Sequence, residues 1–95
     1  MDETRLKLLK LDLQISTSAI DSLLQQMLDA ACGLIEREGI SLDPSSPEDT
    51  QLVVMYAAYL YRRRHDDNPS MPRMLRWALN CRLFAQKAGE QYEYN

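Results

Sequence analysis

The sequence predicts an all-α fold: a small four-helix domain with a nearly fully apolar third helix and a fourth helix divided between basic and apolar residues. Three observations carry that prediction. Apolar residues recur at helical spacing from Ile20 to Ile35, a proline-led capping sequence at Ser46-Pro47 opens the ten-residue apolar run Leu52–Tyr61, and only three glycines and four prolines interrupt 95 residues. Recurrence at i, i+3, i+4 and i+7 marks one face of an α-helix, whereas a strand alternates every second residue.

The first helix is expected from about Asp2 to Leu11, with Asp2 and Glu3 at its positive end and Leu6 and Leu9 on its apolar side. From Leu9 to Ile15 the pattern turns to alternation, so Leu11–Ile15 is expected to leave the helix as a loop. The second helix carries Ile20, Leu23, Leu24, Met27, Leu28, Ala31, Leu34 and Ile35 on one face, with Asp21, Gln25, Gln26, Asp29 and Glu36 mostly opposite. A hydroxyl of Ser16, Thr17 or Ser18 is its expected cap, and Gly39 its left-handed terminator. The third helix opens on Ser46, with Pro47 in the first turn and Glu48 and Asp49 facing the dipole. Its run from Leu52 to Tyr61 is apolar all round, as in a helix enclosed by protein. That run includes Tyr56, Tyr59 and Tyr61, which are read as core or interface rather than as stacking platforms.

The fourth helix is expected from near Met71-Pro72 to about Ala88, stopped by Gly89, with residues 89–95 a flexible tail of the single domain 1–95. Arg73, Arg76, Asn80 and Lys87 make one narrow polar stripe on it. Met74, Leu75 and Ala78 are assigned to the domain's own core. Trp77 and Phe84 lie on one flank with Cys81 between them, an arrangement suited to anchoring a partner, although Trp77 also reads as core. Arg82 falls amid the apolar arc, where it must either reach out to water or meet a carboxylate, its own or a neighbour's. The candidate partner or subunit interface is therefore Arg73, Arg76, Trp77, Arg82 and Phe84.

Charge is unevenly spread. The chain totals −3, yet Arg62–Lys87 holds seven basic residues against two acids, a local +5, and the remainder sums to −8. Opposite surfaces on one chain suit docking against partners of matched potential, or against copies of itself. Arg62, Arg63 and Arg64 form a candidate weak DNA or phosphate contact. The same three also suit a solvated helix end, where cations complement the dipole. The overall acidity speaks against a dedicated nucleic-acid binder.

A chain of this size buries only about 60–65% of its unfolded surface, so association would add useful burial. Cys32 and Cys81 are far apart and lack a CxxC partner, so buried free thiols in a reducing compartment are expected rather than a disulfide or zinc. No signal peptide is expected from the charged start, and ten apolar residues are half of what a bilayer crossing needs. His65-Asp66-Asp67 is the one grouping with a catalytic or metal-binding look. With no second histidine or paired thiol to complete it, it reads as a helix end and turn. No phosphate loop, nucleophile elbow or zinc-protease pattern occurs, so neither catalysis nor a cofactor or metal is expected.

Several stretches, in order, resemble the small head–tail connector (portal adaptor, or DNA-packaging) proteins of tailed bacteriophages. They are Leu6-Lys7, Leu11-Asp12-Leu13-Gln14-Ile15, Asp21-x-Leu23-Leu24, Ala30-Ala31, Ile35-Glu36, Pro47-Glu48-Asp49, Met55–Arg62 and Met71–Phe84. The likeness runs from Leu6 to Phe84. It implies a helical virion assembly protein that forms a ring under the portal protein, dodecameric to match it. Such a ring extends the DNA channel, receives a stopper or tail-completion protein, and lets DNA pass without specific recognition. It further implies residence at the virion head–tail junction, with the host cytoplasm as the place before assembly, and no catalytic residues. The loop Asp66–Ser70 is shorter than in some members of that family. Two other readings stand beside it: a DNA-binding accessory, such as a small terminase subunit or helix-turn-helix regulator, and a host-directed protein-binding module.

Overall fold

A computed structural model describes residues 3–64 and 70–93, with side-chain surroundings for 3–64 and 70–89. Four helices follow in order: α1 Glu3–Leu13, α2 Asp21–Arg37, α3 Pro47–Arg63 and α4 Arg73–Glu93, with no strand among the described residues. The expected all-α, four-helix architecture is what the chain forms.

α3 is the axis of the fold, packing against α1, α2 and α4. Its start follows from local chemistry. Ser46 stays extended, its Oγ accepts from the Asp49 N–H at 3.3 Å, and Pro47 takes a first-turn position where no N–H is needed. Leu52, Val53, Val54, Tyr56, Ala57, Ala58 and Leu60 are all buried, on every side of the helix, as the unbroken apolar run requires. Around them close Leu6 and Leu9 of α1, Leu24, Leu28, Ala31 and Ile35 of α2, and Leu75 and Leu79 of α4. Ile40, in the connector after α2, completes the core.

One end each of α1 and α2 differs from expectation, and each has a local cause. α1 runs two residues further, to Leu13, and closes with Gln14 at φ 59°. Gln14 N–H donates to Leu11 C=O at 3.2 Å and Ile15 N–H to Lys10 C=O at 2.9 Å, so the helix's orphan carbonyls are met by a left-handed turn rather than an extended exit. None of Ser16, Thr17 and Ser18 caps α2. The N-cap position is Ile20, without a side-chain hydrogen bond, and Thr17 Oγ1 accepts from Ala19 N–H instead. The hydroxyls precede the first turn by too many residues, and Asp21 supplies the negative charge there. Gly39 ends α2 as expected, at φ 96° with its N–H on Glu36 C=O at 2.9 Å.

α4 departs most. Gly89 does not stop it, and helix continues to Glu93, so the expected tail is helical over 89–93. A stopping glycine adopts positive φ and turns the chain back, and among the described glycines Gly39 alone does so. The radius of gyration is 14.3 Å, against roughly 12 Å for a compact chain of this length, so the molecule is elongated. Asp2, His65, Asp66 and Asp67 lie outside the described residues.

Candidate subunit or partner interface on α4

Leu75 and Leu79, 2% and 0% exposed, seat α4 in the core, and half-buried Leu83 lies against Gly39, where an added Cβ would come within 3.7 Å of its methyl. The rest of the inner face is polar and fixed. Arg82 Nε donates to Asp49 Oδ1 at 2.6 Å and its Nη2 to Asp49 Oδ2 at 3.1 Å and to Ser41 C=O at 2.8 Å. Gln86 bridges the same connector, accepting from Ser41 N–H at 2.7 Å and donating to Gly39 C=O at 2.8 Å. Nearer the N-terminal end, Arg76 makes a two-pronged contact with Glu38 at 2.7 and 2.8 Å.

The Asp49 carboxylate is 1% exposed, and burial alone would penalise its charge. The Arg82 guanidinium nonetheless holds it below the ordinary carboxylate value, helped by Asp43 N–H, which donates to Oδ2 at 2.7 Å. Arg82 is raised in return, first by its hydrogen bond to Asp49, and Arg76 is raised first by Glu38. Asp43 is lowered by the hydroxyl and N–H of Ser45. These groups clamp the 38–49 connector between α2, α3 and α4.

Among the described residues nothing covers the opposite face of α4. Met74, Trp77 and Phe84 are 68%, 64% and 79% exposed, and Cys81 between them is exposed as well. Of the exposed large apolar residues, one other is Leu11 of α1. Alongside runs a groove of about 650 Å³ between α4 and the first half of α3, floored by Leu52 and Met55 and edged by Glu48, Gln51, Ala78 and Ala85.

The five residues assigned to an interface therefore separate. Trp77, Phe84 and the exposed Arg73 share the open face. Arg76 and Arg82 point to acids of their own chain, and Arg82 meets Asp49 rather than a neighbour. Met74 is a correction, exposed where core was expected, and Cys81 is not the buried thiol anticipated, while Cys32 is half-buried and accepts from Arg5 Nη1 at 3.4 Å. Glu38, Asp49 and Gln86 were missed because their partners lie 33 to 47 residues away or in an irregular loop, beyond any helical spacing.

Arg62, Arg63 and Arg64 are exposed at the end of α3 and spend part of their capacity nearby. Arg62 Nη2 reaches Asp12 Oδ2 at 3.2 Å, Arg63 lies 5.6 Å over the Tyr59 ring, and Arg64 6.0 Å over the Tyr61 ring. Tyr56 is buried, with its phenol raised by burial, and meets Tyr59 edge-on at 5.9 Å. Among the described residues no cluster of three or more His, Cys, Asp or Glu is arranged to hold a metal ion, and no helix is long and apolar enough to cross a membrane. Comparison with protein-family models, curated proteins and solved structures finds no match.

Proposed function

We propose that this chain is a structural assembly protein, acting as the phage head–tail connectors it resembles do. In that role copies form a ring under a portal, extend the DNA channel and receive a stopper or tail-completion protein, without catalysis. The observation that carries the reading is the open face of α4: three large apolar side chains exposed on a helix whose other face is held by two hydrophobic anchors and two bidentate ion pairs. A rigidly mounted apolar face is the anatomy of an interchain contact, with aromatic anchors at its centre.

The DNA-binding alternative draws less support. Arg62, Arg76 and Arg82 contact acids of the same chain, which reduces the positive charge available to phosphate. Exposed Trp77 and Phe84 read no base edges in the manner of a recognition helix. Sedimentation of the purified chain alone and with a portal ring, followed by electron microscopy of the mixture, tests the proposal. A ring or a portal-bound complex is expected, with DNA held no tighter than about 10⁻⁴ to 10⁻⁶ M at physiological salt. A chain that joins no portal yet binds one DNA sequence at nanomolar strength would overturn it.

A further inference from the structure

The open face of α4 has an order that its composition does not convey. Met74, Trp77, Cys81, Phe84 and Ala88 follow one another at alternating spacings of three and four residues, and all five are exposed. That is the a and d seam of a heptad repeat. The residues that hold α4 to its own domain, Leu75, Leu79, Arg82 and Gln86, fall outside the seam on the opposite side. One helix thus carries both a packing face and a separate exposed face at heptad spacing.

The two borders of the seam differ. On one side stand Arg73, Asn80 and Lys87. On the other, among the described residues, stand Ala78 and Ala85, and beyond them the groove with its Leu52 and Met55 floor and its Glu48 lip. In a parallel pair of helices the first border of each faces the second border of the other; in an antiparallel pair like faces like. Parallel pairing lays Lys87 of each copy along the other's Glu48 lip and lets each Trp77 and Phe84 lean into the space that the alanines leave. Antiparallel pairing sets Arg73 against Lys87 at both ends, and like charges at such borders repel.

From this the geometry points to a second copy of this chain as the occupant: α4 pairs with α4 in parallel and in register about a two-fold axis. The inference rests on the reading of α4 as an interchain surface. A two-fold contact closes on itself and cannot propagate into a ring. The pair is accordingly the form that covers the apolar seam before assembly, and assembly must open it. Two heptads make a weak contact, so the pair is reversible.

Sedimentation over a wide concentration range should reveal a monomer–dimer equilibrium. Trp77→Ala should raise the dimer Kd by about thirtyfold, as loss of an aromatic hot spot does, without changing the melt of the dilute monomer. Lys87→Glu should weaken the dimer, and adding Glu48→Lys in the same chain should restore it. Register is read with a short thiol cross-linker in a Cys81→Ser background. Met74→Cys and Ala88→Cys should each link to its own counterpart in a second copy. Cross-linking only when the two variants are mixed would overturn the parallel arrangement. A chain that stays monomeric at every concentration would overturn the pairing. If it still joins a portal ring, the connector proposal survives that failure; if it joins neither, both fall.

Discussion

α3 and α4 look alike as sequence, each offering apolar residues on more than one side, yet they meet different surroundings. Every large apolar residue of α3 from Leu52 to Leu60 is buried or half-buried, whereas α4 hides Leu75 and Leu79 and exposes Met74, Trp77 and Phe84. The difference lies in position. α3 is packed by three helices, and α4 by α3 and the 38–49 connector, so one side of α4 is left over. An apolar helix in a small domain is therefore core only as far as the domain has elements to cover it. What remains is surface of the kind that partners use.

The largest effect that would test this contrast comes from the inner face of α4. Leu79→Ala opens a cavity at a fully buried site, and a loss of about 3 to 4 kcal/mol is expected in urea unfolding of the monomer. A cost below about 1 kcal/mol would mean that α4 is not seated as described. Next comes Arg82→Ala, which leaves the Asp49 carboxylate buried without its cation. About 3 kcal/mol is expected, the low end for a broken buried pair, since Asp43 N–H still donates to Asp49 and the Arg82 side chain is 22% exposed to water.

Acid titration sharpens the same point. The folded-state pKa of Asp49 is lowered from 3.8, so its contribution is complete above the unfolded value and is lost as pH falls through that value to the folded one. Parent stability should decline below about pH 4, and Asp49→Asn, though less stable at neutral pH, should decline less steeply there. An unchanged slope would show that the pair does not couple to folding. Smallest of all, Trp77→Ala should move the dilute monomer's unfolding by no more than about 0.5 kcal/mol, as for other surface positions. A larger loss would return Trp77 to the core and erase the contrast between the two faces of α4.

What could be read from the sequence was what local spacing determines. The α2 stripe, the Ser46-Pro47 start of α3, the enclosed run of α3 and the left-handed Gly39 all follow from residues within a turn or two of each other. The outward flank of Trp77 and Phe84 was legible for the same reason. The outward turn of Met74 was not, because a helix wheel shows which residues share a side without showing which side the domain covers. Nor were the partners of Arg76 and Arg82, which are joined to their acids across 38 and 33 residues. Gly89 misled because a glycine ends a helix only when the backbone turns at it, and composition does not report φ.

The Asp49–Arg82 contact also has a meaning in time. Thirty-three residues separate the two in the chain, and at about 5–20 residues per second a ribosome takes about 2 to 7 s to add them. A helix forms in about a microsecond. In the later part of that interval α1, α2 and α3 can all exist as helices while the Asp49 carboxylate, in the first turn of α3, still has no cation to meet it. The contact therefore closes only once the last helix is made, and the Asp49 carboxylate gains its cation in the same step that seats the helix bearing the open seam.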